Sequence, residues 1–226
     1  MPAQITPFGT AARTVGDGTP ASCTEAALRT AMAAGGKIAF ACGAAVKTIT
    51  LTNVIGVTAD ADLNGEDRVV LSGGGTTRLF TVHGGRKLTV RNITIRDGYY
   101  SNSMEAEPNL RQGAGGIHTN YSGSIIAENV KFLNNVSVNA GLTKSERNGG
   151  AVSTHESPVA VFYNSLFQGN SGHLGSAINN LLTNLVVVNS SVLDNQVFDE
   201  GFGGAIYSDG ALRTYDNPNS PSTSPY

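Results

Sequence analysis

Residues Asn148–Asn170, NGGAVSTHESPVAVFYNSLFQGN, set two glycines before a small apolar pair, continue through alternating apolar residues and close on Asn-x-x-Phe-x-x-Asn. The chain repeats this pattern. Aligned on the apolar residue after the glycines, heads fall at Ile117 (GAGGI), Val152 (GGAV), Ile178 (GSAI) and Ile206 (GGAI), spaced by 35, 26 and 28 residues. Tails follow in fixed register at Asn129/Phe132/Asn135, Asn164/Phe167/Asn170 and Asn189/Val192/Asn195, with an earlier NITIRDG giving Asn92, Ile95 and Gly98. Head and tail anchors lie 15, 15 and 14 residues apart, so units are rigid inside and variable between. A fixed period of this size is the mark of a stacked-repeat architecture.

Before each first Asn the residues alternate: Leu88 and Val90, Ala160 and Phe162, Leu185 and Val187. Period two means strands, and units of this length bury their inward side chains by stacking on one another at about 4.8 Å per strand. The expected fold is all-β, a single-stranded right-handed parallel β-helix with an N-terminal capping α-helix. Like residues then form columns: Asn92, Asn129, Asn164 and Asn189 in one, Asn135, Asn170 and Asn195 in another with Gly98 at its first rung. Asn accepts the left-handed turn conformation, and its amide can donate to one rung and accept from the other. These asparagines read as structure; the NSS at Asn189 and NVS at Asn135 match a glycosylation acceptor by chance.

Composition agrees with a scaffold of short strands. The 226 residues are 40% hydrophobic and 14% charged, with 28 Gly and no Trp. A net charge of -2 gives no reason to expect nucleic-acid binding, and no apolar run reaches the roughly 18 to 20 residues that span a bilayer. The start MPAQITPFGTAARTVG carries no signal-peptide pattern, so an exported protein would be numbered here in mature form or with Met1 added. Cys23 and Cys42 lack nearby His and lie outside any Cys-x-x-Cys motif. A disulfide is the favoured reading and two buried free thiols the alternative; the disulfide would mean an oxidising compartment.

TPASCTEAALRTAMAAGG reads as a helix capped by Ser22 or Thr24, with Leu28, Ala31 and Met32 on one face and Gly35-Gly36 as the stop. The expected organisation is an N-terminal arm (1–13), a cap with helix and cystine (14–43), the β-helix (44–212) and a Pro/Ser-rich tail or linker (213–226).

The pairing of Gly-Gly-Ala-Ile with Phe-x-x-Asn resembles the repeat of chlamydial polymorphic outer-membrane proteins. VGDGTPASCTEAALRTAMAAGGKIAFACG followed by RNITIRDG is similar to secreted bacterial right-handed β-helix proteins grouped with pectate lyases. The resemblance covers residues 14 to about 210. It implies the fold and leaves the chemistry open, because that fold hosts lyases, hydrolases, epimerases, adhesins and spacers.

Insertions in a stacked repeat collect on one face. YYSNSMEAEPNLRQ after Gly98 and VSVNAGLTKSERN after Asn135 are the long ones, and they hold Tyr99, Tyr100, Glu105, Glu107, Arg111, Lys144, Glu146 and Arg147. Asp199 and Glu200 stand farther along. Tyrosines beside mixed charge suit stacking on sugars and pairing with uronates. A polysaccharide lyase would use Glu105 and Glu107 for Ca2+, Lys144 as base and Arg147 as carboxylate partner. No cofactor or metal is otherwise expected. His118 and His155 would lie on one outward face without forming a column, as surface histidines, and Asp60 with Asp62 has the spacing of a carboxylate pair facing one side.

The first expectation is a secreted or cell-surface module, acting as scaffold, fibre subunit or adhesin with glycan contact through residues 99–112 and 136–148. A polysaccharide lyase or glycoside hydrolase is the alternative. Expected partners are a surface glycan or another copy of the chain stacked head to tail, with neither nucleic acid nor membrane insertion.

Overall fold

A computed structural model describes residues 6–101, 113–138 and 148–210. The described chain is β-rich, with parallel sheets and one helix. The first sheet runs through Arg13–Val15, Gly36–Phe40, Ala61–Ser72, Lys87–Arg96, Ser124–Leu133, Ala160–Tyr163 and Leu185–Val188. The second runs through Ile55–Val57, Phe80–Val82, Ile117–Thr119, Val152–His155, Ile178–Leu181 and Ile206–Asp209, and the third through Tyr99–Ser101, Val136–Val138, Ser171–Leu174 and Gln196–Phe202. From Phe80 onward the chain visits second, first and third sheets in turn, and each visit pairs in parallel with the one before.

Register turns the sequence repeat into columns. Phe80, Ile117, Val152, Ile178 and Ile206 face one another in the second sheet. Leu63, Val90, Ala127, Phe162 and Val187 do so in the first, as do Leu71, Ile95, Phe132, Phe167 and Val192. Phe132 and Phe167 stack with centroids 4.7 Å apart, and Phe162 meets Phe167 edge-on at 5.3 Å. Fully burying one such ring contributes about 2 to 3 kcal/mol. The last described rungs are less covered: inward Leu185, Val187 and Val192 are only half-buried and Ile206 is 37% exposed.

The two asparagine columns do different work. Asn92, Asn129, Asn164 and Asn189 all have φ near +50° and bend the strand, so the left-handed backbone selects them. Their amides join in two runs: Asn92 donates to Asn64 and Asn129 to Asn92, while Asn189 donates to Asn164. No hydrogen bond links Asn129 to Asn164, so the expected continuous column is interrupted there. In the other column the left-handed residue is the preceding one (Asp97, Asn134, Gly169, Asp194), which turns the next side chain inward. Asn135 and Asn170 are fully buried. Asn135 donates to Asn170 Oδ1 at 3.0 Å, and Asn170 to Asn195 Oδ1 at 2.8 Å. Gly98 opens this column, its N–H donating to Asn135 Oδ1 at 3.0 Å. A Cβ there would stand 2.0 Å from the Gly115 carbonyl oxygen, which only glycine avoids.

The helix forms at Glu25–Ala34. Thr24 Oγ1 accepts from the Ala27 N–H at 3.1 Å, and Gly35 (φ 66) ends the helix with its N–H on the Ala31 and Met32 carbonyls. Leu28, Ala31 and Met32 are buried, and the helix packs on Arg13–Val15, Gly36–Phe40 and Ile55–Val57. A disulfide joins Cys23 and Cys42, with Cα atoms 5.5 Å apart. The segment expected to be a separate cap also supplies Arg13–Val15 and Gly36–Phe40 to the first sheet, so the β architecture begins earlier than residue 44.

Candidate functional site

Strands of the first sheet place alternate side chains outside, and the outer rows concentrate charge. Lys37, Asp62, Thr89 and Ile126 face one another across successive rungs, followed two residues on by Asn64, Arg91, Glu128 and Tyr163. Arg91 is 4% exposed although it lies on this outer face. Its Nε donates to Asp62 Oδ1 at 2.8 Å and its Nη2 to Asp62 Oδ2 at 3.2 Å, a two-point contact, while Nη1 donates to Glu128. Burial opposes its charge, but the hydrogen bonds and charges of Asp62 and then Glu128 outweigh that and hold the guanidinium above its ordinary pKa. The arrangement ties three consecutive rungs together.

Asp60 and Asp62 do face one side, and both line one groove with Lys37, Lys87, Thr89 and Arg91. They are not poised as an acid and a base. Asp62 has both oxygens on Arg91, and Asp60 Oδ1 accepts the Lys87 backbone N–H at 3.0 Å.

The second sheet carries a different outer row: Thr81, His118, Ser153, Asn179 and Tyr207. His118 is 6% exposed, which corrects its reading as a surface histidine. Burial first, and then the charges of Arg78 and His155, push its pKa well below the ordinary value. His155 lies on the next rung, half-buried, with its ring 4.2 Å from that of Tyr121. Among the described residues no group of three or more His, Cys, Asp or Glu is placed to hold a metal ion.

Of the residues read as a glycan surface, Tyr99 and Tyr100 are described. Tyr99 is half-buried at the start of the strand Tyr99–Ser101. Tyr100 is 2% exposed with the Arg78 guanidinium carbon 4.1 Å from its ring centroid, so its ring is not open to a sugar. That correction follows from strand alternation: Tyr100 belongs to a paired strand, and the insertion begins after it. Glu105, Glu107, Arg111, Lys144, Glu146 and Arg147 lie outside the described residues. The stems of the two insertions are paired at both ends, Tyr99–Ser101 with Val136–Val138 and Gly113–Ala114 with Asn148–Gly149. Both insertions therefore leave and re-enter the sheets on neighbouring strands.

Two polar features escaped the sequence reading. The interior row Thr119, Thr154, Asn180 and Ser208 occupies core-side positions, with Thr154 donating to Asn180 at 2.8 Å and Asn180 to Ser208 at 3.0 Å. The Asp62–Arg91–Glu128 bridge is the other. The repeat alignment held its signal, since Arg91 and Glu128 each immediately precede an anchor asparagine.

No family model, curated protein or solved structure matches the chain.

Proposed function

We propose that the chain is a right-handed parallel β-helix module of a secreted or cell-surface protein, acting as a scaffold or adhesin that presents the 99–112 and 136–148 insertions to a glycan. The observation that carries this reading is the buried Asn135–Asn170–Asn195 amide column, which joins successive rungs and serves stacking. Paired stems under both insertions support it, because they give two neighbouring loops one rigid platform. Asp62, Arg91 and Glu128 are engaged with one another, and a cystine beside the helix suits an oxidising compartment.

Affinity electrophoresis against acidic and neutral polysaccharides, run beside an assay for unsaturated sugar products with and without Ca2+, tests the proposal. The expected result is retention on a glycan without product. Product formation that disappears in Lys144→Ala overturns it in favour of a lyase.

A further inference from the structure

The groove on the outer face of the first sheet has a chemistry of its own. It encloses about 250 Å³. Lys37 and Thr89 stand two rungs apart, about 9.6 Å at the usual strand spacing. Lys87 is two residues before Thr89 on the same strand, about 7 Å away along it. Lysine stems are long enough to bring both ammonium groups over this gap, and Thr6 adds a hydroxyl from the N-terminal segment.

The two ammonium groups have no ion-pair or side-chain hydrogen-bond partner among the described residues. Arg91, the other lining cation, is already engaged by Asp62 and Glu128. With Glu128, which Arg91 also engages, the three cations of the lining stand against three carboxylates, so the groove is locally neutral and its pull on an anion comes from the two unpaired ammonium groups.

Which anion fits follows from which donors remain. A planar carboxylate is best recognised by the fork of an arginine, and here the fork is occupied. What remains are two mobile point charges and two hydroxyls, a set that suits an oxyanion spreading its charge over several tetrahedrally arranged oxygens.

We infer that this groove binds a phosphate or sulfate ester group carried on a larger molecule. The inference stands apart from the glycan reading of the 99–112 and 136–148 insertions, and uses none of their residues.

Amide chemical shifts are to be followed on the folded chain during titration with inorganic phosphate and, separately, inorganic sulfate. Retention is compared on dextran sulfate, polygalacturonate and uncharged dextran. The expected result is saturable shifts at Lys37, Lys87 and Thr89, and retention on dextran sulfate above that on polygalacturonate. The double substitution Lys37→Ala/Lys87→Ala should weaken binding about tenfold or more, as loss of two ion contacts implies, while Lys131→Ala on the same sheet leaves it unchanged. Tighter binding of phosphate assigns a phosphoester source, and tighter binding of sulfate a sulfate ester. Urea midpoints of the variants separate lost binding from lost folding. No shift at these residues with either ion, undiminished affinity in the folded double variant, or polygalacturonate retained as well as dextran sulfate overturns the inference.

Discussion

Replacing Asn170 by Ala removes a fully buried amide that makes four hydrogen bonds. Its Oδ1 accepts from the Asn135 backbone N–H at 2.9 Å and from Asn135 Nδ2 at 3.0 Å; its Nδ2 donates to the Phe132 carbonyl at 3.0 Å and to Asn195 Oδ1 at 2.8 Å. Asn135 Nδ2 keeps the Ile95 carbonyl at 3.2 Å, and Asn195 is only partly buried. One buried group loses its partner outright, the Asn135 N–H, at about 1 to 3 kcal/mol when unsatisfied, while the Phe132 carbonyl stays within the paired strand Ser124–Leu133. With relaxation of the void, the expected destabilisation is about 3 to 5 kcal/mol. Asn164→Ala is the matched control. Asn164 is exposed and accepts one amide bond, from Asn189 at 2.7 Å, so its loss costs about 1 to 2 kcal/mol, chiefly from placing Ala at φ 49. Urea titrations of both variants, followed by far-UV circular dichroism, give the two values directly. An Asn170→Ala cost equal to or below that of Asn164→Ala would refute the assignment of one column to the interior and the other to the turn.

Arg91→Met strands the Asp62 and Glu128 carboxylates; Asp62 is 19% exposed and Glu128 32%, so solvent softens the loss to about 2 to 3 kcal/mol, read as a lower urea midpoint. Adding Asp62→Asn and Glu128→Gln to Arg91→Met should recover part of it. His118 titrates against the fold: the unfolded chain takes up its proton near pH 6.5, while the folded chain resists until well below that. Its contribution is therefore intact above that pH, and stability falls below it by up to about 1.4 kcal/mol per pH unit. Midpoints at pH 7.5 and 5.5 should converge in His118→Gln, and an unchanged slope in that variant would remove His118 as the cause. Reducing the Cys23–Cys42 bridge should cost about 3 kcal/mol, checked by urea titration with and without reductant.

How much of this was legible in the sequence depends on what each residue answers to. Strand alternation and the head-to-tail spacing report on local backbone and core, so the registers of Ile117, Val152 and Ile178, and the helix from Thr24 to Gly35, could be read from residue type alone. The two asparagine columns looked equivalent because both recur with the repeat. Their difference lies in which residue takes the left-handed conformation, Asn129 itself or Asn134 before Asn135, and that is decided by the turn. Tyr100 was misread because insertion length marks where a loop begins only to within a strand's end. His118 was misread because an outward position is not always an exposed one. The groove of Lys37 and Lys87 was out of reach. Lys87, Thr89 and Arg91 stand in register before Asn92, but Lys37, Asp60 and Asp62 come from rungs that precede the repeat, where no head or tail motif sets them opposite.

The central claim is that successive rungs stack in parallel on one another, and duplicating one repeat in tandem, residues 152–177, tests it most directly by urea titration. Stacked rungs predict a cooperative transition with a midpoint no lower than that of the parent, and a slope larger by about a tenth for the added buried surface. A duplicated chain that aggregates, loses cooperativity or unfolds at markedly lower urea would contradict it.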